Sequence, residues 1–482
     1  MIDITLNKLM IEDHSIHFIG IGGIGMSAIA QIMCNLGYKI QGSDLVESKN
    51  TARLRSLGID VFIGHDSKNI DNAEYVVISS DVKDSNIEVL EARRKKIPIL
   101  KRSEILAELM RFKTSIAVSG SHGKTTTTAI LATMFEAANI KPTVINGGII
   151  NNVDTNAYLG SDSYLIAEAD ESDATFVNIP ATIAVITNIN FEHLSFYHNF
   201  DNLLNAFEKF ITNLPFYGFA VVCFDNLYCR QLAAKITNRK ILTYSIESDE
   251  ANVKAFNIKC DEDKSIFDVC ISLPGQDSKT IISNVMLPTA GLHNVLNSLS
   301  AIAIAAQLNF GFRTIQSGFK NFRGNKRRFT RVGEYNGALI IDDYAHHPVE
   351  IKATLATAQI FTKKYNSKII VVFQPHRYSR FASSLYQDFV NAFESVEILC
   401  VTEIYAAGEE PIANISSEKF VQDVIKATSK TVFYANDIAE ITNLCIKHAK
   451  EKDMILFLGA GSISSMCYEV HKQLIFSSTP KN

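Results

Sequence analysis

The strongest chemical signal in the chain is the run Ser119-Gly120-Ser121-His122-Gly123-Lys124-Thr125-Thr126. An apolar run, Ser115 to Val118, precedes it, and a helix-forming run, Thr127 to Ala138, comes after. In that setting loop amides and a helix N-terminus both aim donors at an anion. Gly120 and Gly123 let the backbone approach phosphate oxygens closely. Lys124 can lie between β- and γ-phosphates, and the Thr125 hydroxyl can ligate magnesium. Strict spacing of the general phosphate-loop pattern would need a glycine at Val118, so this is the shorter GxxGKT form. Ser121, His122 and Thr126 complete the set expected around ATP.

A phosphate loop needs a cation, and the next apolar run offers ligands. Tyr164-Leu165-Ile166-Ala167 runs into Glu168-Ala169-Asp170-Glu171-Ser172-Asp173, which holds four carboxylates. Crowded carboxylates repel unless cations or solvent share the charge. Oxygen ligands at a strand end beside phosphates suit Mg2+; a solvated acidic turn is the plain alternative. Ile183 to Ile189 leads to Glu192-His193. His193 stands open between a second metal ligand and a surface histidine, which spacing does not separate.

Near the start, Gly20-Ile21-Gly22-Gly23-Ile24-Gly25 satisfies GxGxxG between a strand and a helix, and Asp44 lies near the end of the next strand. NAD is the commonest occupant of such a loop. The physics is broader: the loop takes a diphosphate and the acid a ribose hydroxyl, both of which a UDP-sugar carries. An ATP loop downstream favours the UDP-type ligand.

The elements that must hold these loops are short β-branched runs alternating with amphipathic stretches, as in parallel sheets covered by helices. Ser15 to Ile19, a strand ending near Asp44, Tyr75 to Ser79 and Ile97 to Leu100 make a first unit, with a helix over Met26 to Leu36. A second opens at Thr114, with strands Ser115 to Val118, Tyr164 to Ala167, Ile183 to Ile186 and Ala220 to Cys223. Between Tyr244 and Pro288 alternating segments such as Phe267 to Ile271 predict antiparallel strands with one wet face, and a helix is expected over Asn294 to Leu308. A third unit begins near Arg331, with strands Ala338 to Ile341, Ile369 to Phe373, Ile398 to Thr402 and Met454 to Leu458.

Composition removes several classes. The chain has 482 residues, 47 % hydrophobic and 20 % charged, with 47 basic against 51 acidic residues and a net charge of −4. No basic excess exists for a nucleic-acid partner. No stretch approaches the roughly 20 apolar residues of a membrane span. The acidic start, MIDITLNKLMIEDH, is unlike a secretory leader. The 8 cysteines are scattered with no CxxC pair, as expected of reduced thiols in a cytoplasmic protein.

Taken in order, the motifs resemble the Mur ligase family over nearly the whole chain. They are GIGGIGM (Gly20 to Met26), GSD (Gly42 to Asp44), GSHGKTTTT (Gly120 to Thr128), EADESD (Glu168 to Asp173) and TNI…EH (Thr187 to His193). Further along come GLHNVLN (Gly291 to Asn297), RRF (Arg327 to Phe329), DDYAHHP (Asp342 to Pro348), FQPHRYSR (Phe373 to Arg380) and GAGS (Gly459 to Ser462). DDYAHHP with FQPHRYSR is most like the members that add L-alanine to UDP-N-acetylmuramate.

The resemblance implies an α/β fold of three domains. These are a Rossmann-like UDP-sugar domain (1–112), a central P-loop ATPase-like domain with a mostly parallel sheet plus a small antiparallel one (113–327), and a Rossmann-like C-terminal domain for the amino acid and for closing over ATP (328–482). It further implies the partners UDP-N-acetylmuramate, L-alanine, ATP and Mg2+, in a monomer or homodimer. Gly20, Gly22, Gly23, Gly25 and Asp44 match the UDP site, Lys124 and Thr125 the ATP and metal site, and Glu168 and His193 the metal positions. Asn294 and Asn297 match the residues around adenine, and Arg328 an arginine reaching the terminal phosphate. Asp343 goes with the nucleotide set. Tyr344, His346, His376, Arg377 and Arg380 match the region that receives the amino acid.

Three departures stand out: Glu192 where the family commonly has Asp, Ala345 for Gly, and Asp154 where Gly is frequent. A recycling ligase that attaches a peptide to the same sugar nucleotide shares the phosphate loop but not the pocket from His376 to Arg380. An NAD-dependent oxidoreductase leaves GSHGKT and EADESD unexplained, and a non-catalytic nucleotide-sugar sensor leaves Lys124 and the acids idle.

Overall fold

The computed structural model describes residues 14–478 apart from 80, 277 and 429; the acidic amino-terminal stretch, unlike a leader in sequence, lies almost wholly outside the described residues. Continuous β-branched runs form buried parallel strands, which can be apolar on both faces. Five of them, β1 (Ser15–Ile19), β2 (Lys39–Asp44), β3 (Asp60–Ile63), β4 (Tyr75–Ile78) and β5 (Ile99–Lys101), make a parallel sheet in the order β3-β2-β1-β4-β5. The order reverses beside β1, the place where open α/β sheets bind ligands.

The second sheet has ten strands. They are β6 (Thr114–Ser119), β7 (Thr143–Ile150), β8 (Thr155–Tyr158), β9 (Tyr164–Glu168), β10 (Ile183–Ile186), β11 (Phe219–Cys223), β12 (Lys240–Ser245), β13 (Val253–Cys260), β14 (Ser265–Ile271) and β15 (Thr280–Leu287). Their order is β15-β14-β13-β12-β11-β10-β6-β9-β7-β8, so the alternating segments β13 to β15 continue one edge of the main sheet. The third sheet comprises β16 (Thr330–Tyr335), β17 (Ala338–Asp343), β18 (Ile369–Phe373), β19 (Ile398–Val401), β20 (Thr431–Tyr434) and β21 (Met454–Leu458), ordered β16-β17-β21-β18-β19-β20. It is parallel except for the β16–β17 hairpin, whose Asn336-Gly337 link has both residues at positive φ, as a two-residue hairpin turn requires.

Five helices carry or flank the candidate site residues: α1 (Ile24–Asn35), α2 (Arg102–Arg111), α3 (Lys124–Ala137), α4 (Leu292–Gln307) and α5 (Pro348–Tyr365). The chain divides into two compact units. One runs through Ile258 and takes in Ile266–Leu287 and Val295–Arg323; the other gathers Lys259–Ser265, Pro288–Asn294 and the chain from Gly324 onward. Among the described residues no helix is long and apolar enough to cross a membrane.

Within the first unit, helix α1 meets strand β8. Asn156 Nδ2 donates to the Ile24 carbonyl (2.6 Å) and Gln31 Nε2 to that of Ala157 (3.0 Å). Arg53 reaches the same strand, donating to Thr155 Oγ1 and Asn156 Oδ1, both at 2.6 Å. Asp154, which the sequence marks as a departure from the family pattern, has φ +50°. The position is left-handed, and Asp is among the few side chains that tolerate it. Ala345 keeps an ordinary negative φ, so a methyl group costs no backbone strain there.

The first glycine loop hangs on the end of β2, with Gly20 N and Ile21 N donating to the Ser43 carbonyl at 2.8 and 3.0 Å. Behind Ser43 lies the buried carboxylate of Glu88. It accepts from Ser43 Oγ and Asn69 Nδ2, both at 2.6 Å, and faces buried His17 at 3.4 Å. Burial alone would raise its pKa, but the hydrogen bonds from His17, Ser43 and Asn69 outweigh that and bring it down to about 2. A depressed carboxyl stabilises the fold above its ordinary value of 4.5 and loses that contribution as pH falls toward about 2. Glu88→Gln should therefore destabilise the protein by about 1–3 kcal/mol at neutral pH. Denaturant unfolding across pH should show the gap to wild type closing between those two values.

Candidate functional site

Strand β6 ends at Ser119 and helix α3 begins at Lys124, so the phosphate loop spans a parallel-strand terminus and a helix N-terminus. Gly120 sits at φ +131°, and a Cβ there would lie 2.2 Å from Thr187 Oγ1; no other residue fits. The turn after β10 clasps this loop. Asn188 accepts from Ser121 N through its carbonyl (3.0 Å) and from His122 N through Oδ1 (2.9 Å). Asn188 Nδ2 and Thr187 Oγ1 donate to the His122 carbonyl at 3.0 and 2.6 Å, and Asn190 N donates to Ser121 Oγ at 2.9 Å. The amides of Ser121 and His122 are thus committed within the protein. Helix α3 starts at Lys124, directly after the loop, and a helix N-terminus directs its positive end at an anion.

Lys124 Nζ pairs with Glu171 at 2.7 Å and donates to the carbonyls of Gly120 (2.7 Å) and Ser121 (3.3 Å). Burial would pull its pKa down, yet Glu171, Asp170 and Glu168 together hold it above the ordinary lysine value. Burial would likewise raise the pKa of Asp170, but Lys124 and then Arg102 hold it below its ordinary value. Thr125 Oγ1 donates to Glu168 Oε2 at 2.9 Å, and Gly147 N donates to the same oxygen at 2.9 Å. His193, at φ +57°, lies 3.3 Å from Glu171 Oε1. Burial works against its protonation, but Glu171 outweighs this and raises its pKa. Asn297 stands against the loop, its Oδ1 2.7 Å from where a Cβ on Gly123 would be.

In the amino-terminal sheet Asp44 Oδ2 accepts from Gly22 N at 2.8 Å, so this acid braces the glycine loop directly. A Cβ on Gly25 would fall 2.4 Å from a guanidinium nitrogen of Arg102.

The second unit carries its own cluster. Asp343, at the end of β17, accepts from Phe329 N (2.7 Å) and Ala345 N (2.8 Å). Burial pushes its pKa up to about 6 against the pull of Arg328. Arg328 and Arg327 stack over the Tyr344 ring at 5.1 and 4.7 Å, and Arg327 also donates to the Gly459 carbonyl at 2.7 Å. Asn294 Nδ2 donates to the Ala290 carbonyl at 2.7 Å. His346 Nδ1 lies 3.0 Å from the Tyr344 carbonyl and 3.2 Å from Glu350, with its ring edge-on to His376 at 5.6 Å. His376 Nδ1 is 3.2 Å from Arg380, and its ring stacks on Tyr405. Burial, then the charges of His346, Arg380 and Arg377, hold His376 down to about 3. A neutral ring of that pKa is a weak base near neutral pH but a good acceptor for Arg380. Arg377, at φ +70°, lies 3.7 Å from Glu409.

Three family models cover most of the chain: the Mur ligase family catalytic domain at residues 15–114, the Mur ligase middle domain at 118–305, and the Mur ligase glutamate ligase domain at 327–461. The chain belongs to the Mur ligase family. It is similar to the UDP-N-acetylmuramate–L-alanine ligase of Rickettsia felis, 58 % identical over 463 residues, 95 % of this chain and 96 % of that protein. The enzyme of the same name from Rickettsia typhi is 57 % identical, over 96 % of this chain and 93 % of that one. Among solved structures, the UDP-N-acetylmuramate–alanine ligase of Thermotoga maritima matches with a TM-score of 0.80 at 29 % identity, covering 96 % of this chain and 100 % of that one. A murein peptide ligase from Psychrobacter arcticus matches at 0.70 with 23 % identity, covering 96 % and 98 %, a likeness of fold.

The donor set of this Mur ligase fits a hard divalent cation. A hydroxyl and a carboxylate converge at Thr125 and Glu168, and ligand atoms of Glu171, Glu192 and His193 lie within 4.8 Å of one another. Oxygen-rich surroundings of this kind suit magnesium.

Sequence assigns no role of their own to Asn188 or Arg102, and expects Glu171 only as one of four clustered carboxylates. Asn188 lies in a matched motif, but its grip on the loop depends on how β6 and β10 pair. Glu171 is one of four adjacent acids, and only the fold turns it inward to 1 % exposure. Arg102 opens a helix far from any motif. Replacing Asn188 by Ala should remove the side-chain hydrogen bonds to the His122 amide and carbonyl, while the Ser121 amide keeps the backbone carbonyl of residue 188. ATP binding should weaken by about tenfold, the effect of one or two buried hydrogen bonds. Calorimetric titration reads this directly; unchanged affinity would show that the loop keeps its shape unaided.

Proposed function

We propose that this chain joins L-alanine to the carboxylate of UDP-N-acetylmuramate with cleavage of ATP to ADP and phosphate, a step in peptidoglycan precursor synthesis. The observation that carries the reading is the phosphate loop with Lys124 seated on a buried carboxylate and Thr125 on Glu168. It has the parts for phosphoryl transfer, where catalysis is chiefly positioning and charge stabilisation. We assign 1–112 to the nucleotide sugar, 113–327 to ATP, and 328–482 to the amino acid and closure. The reactants, ATP and a nucleotide sugar, are cytoplasmic, and so is the proposed site of action.

A carboxylate does not react with an amine until one oxygen becomes a leaving group. In the proposed sequence a carboxylate oxygen of the sugar acid attacks the γ-phosphorus, and the bond to ADP breaks. The amine nitrogen of L-alanine then attacks the acyl carbon of the mixed anhydride, giving a tetrahedral intermediate. Collapse expels phosphate and forms the amide as the nitrogen loses its proton. Lys124 and the N-terminus of α3 hold the phosphates, and Arg328, Asp343, Asn294 and Asn297 belong to the nucleotide. We assign Mg2+ to Thr125, Glu168 and His193, where it would offset charge on the phosphate oxygens. Tyr344, His346, His376, Arg377 and Arg380 form the amino-acid pocket, an arginine fork pairing with the carboxylate.

Purified protein should release phosphate from ATP only when UDP-N-acetylmuramate, L-alanine and magnesium are all present. Release that ignores omission of the nucleotide sugar would count against a ligase, and preference for a peptide over L-alanine would point to a recycling enzyme. Lys124→Ala should lower turnover by at least ~10²-fold, the scale of losing one preorganised donor; near-normal turnover would mean the phosphates bind elsewhere.

A further inference from the structure

We propose that Arg102 binds the acid carboxylate of the nucleotide sugar and holds it between the first glycine loop and Lys124. The inference rests on the ligase reading and adds a substrate contact to it. Arg102 is the first residue of α2, directly after β5. One guanidinium nitrogen lies 2.4 Å, and the guanidinium carbon 3.3 Å, from where a Cβ on Gly25 would be. The planar group therefore rests on bare glycine backbone, and any side chain at position 25 would displace it. Its other terminal nitrogen is 3.7 Å from Asp170, a separation beyond hydrogen-bond length. The guanidinium makes no hydrogen bond among the described residues, although its side chain is only 27 % exposed. A largely covered arginine with its donors uncommitted is ready for an anion.

The surroundings select which anion. Asp170 lies under the influence of both Arg102 and Lys124, so the two cations share one acidic neighbour. The amides of Gly20, Ile21, Gly22 and Gly23 already donate within the protein, so the diphosphate falls to the first-turn amides of α1. The carboxylate must reach from that loop toward the γ-phosphate at Lys124, and Arg102 stands on this route. Its fork matches a carboxylate in two parallel hydrogen bonds, which fixes the direction of an attacking oxygen as well as its place.

Calorimetric titration of the full chain with three ligands tests this: UDP, UDP-N-acetylglucosamine, which lacks the acid, and UDP-N-acetylmuramate. In Arg102→Met, which keeps a stem to cover Gly25, affinity for the acid should fall by about tenfold or more, the scale of a lost charge-assisted hydrogen bond. Affinity for the other two should change by less than about twofold. Arg102→Lys, which keeps the charge and the packing, should show a smaller loss with the same selectivity and serves if the Met variant does not fold. An equal fall for all three ligands would assign Arg102 to the diphosphate and overturn the proposal, as would no fall for any. Wild-type protein that fails to bind UDP-N-acetylmuramate would instead sink the ligase reading on which the proposal stands.

Discussion

Lys124 and Glu171 meet at 2.7 Å in a place where the carboxylate is 1 % and the lysine side chain 14 % exposed. Taking two charges so far out of water is costly, and attraction repays the cost only when the pair is also well hydrogen-bonded. Here the ammonium adds two loop carbonyls, of Gly120 and Ser121. The arrangement holds the ammonium in place at the head of α3, balanced by the carboxylate. A triphosphate arriving there would take over a cation already in position, exchanging one anionic partner for another. Glu171 also touches His193, so the same carboxylate ties the lysine to the neighbouring ligand set. Losing Glu171 would leave Lys124 and His193 without their buried partner.

Around this pair and in the second unit's cluster, the backbone is held in unfavourable conformations. His193, Arg327, Phe329 and Arg377 all have positive φ, a state that costs of order 1–3 kcal/mol for each such residue. Each lies in one of the motifs that carry the family resemblance, and the last three are fixed by named neighbours. Asp343 receives the amide of Phe329, Arg327 grips the Gly459 carbonyl, and Arg377 N donates to the Tyr405 carbonyl at 2.9 Å. The surrounding contacts determine these turns, which keeps the side chains aimed where an unstrained loop would not put them.

The sheets were legible because buried parallel strands are unbroken apolar runs. Ile183 to Ile186 and Ile369 to Phe373 are strands over the residues expected. Helix α1 starts two residues before Met26 because its first turn lies inside the glycine loop, where Gly25 reads as a turn. The loop lysine and its threonine were legible from residue type and spacing, and the acid at Glu168 from the family resemblance. Thr125 and Glu168 come together in the fold, while the lysine pairs with Glu171. What sequence leaves dark is contact between distant loops. The contacts of Asn188 and Arg102 have no local signal, since Asn188 acts on a loop 66 residues away and Arg102 on the distant Gly25, brought there by sheet pairing and helix placement. Nor could spacing tell which of four adjacent carboxylates turns inward, because a loop has no fixed period.

A crystal structure with a non-hydrolysable ATP analogue bears most directly on the central claim. The analogue should lie along Gly120 to Thr126, with Lys124 Nζ drawn from Glu171 onto the β- and γ-phosphate oxygens. An analogue bound elsewhere, with Lys124 still closed on Glu171, would contradict it.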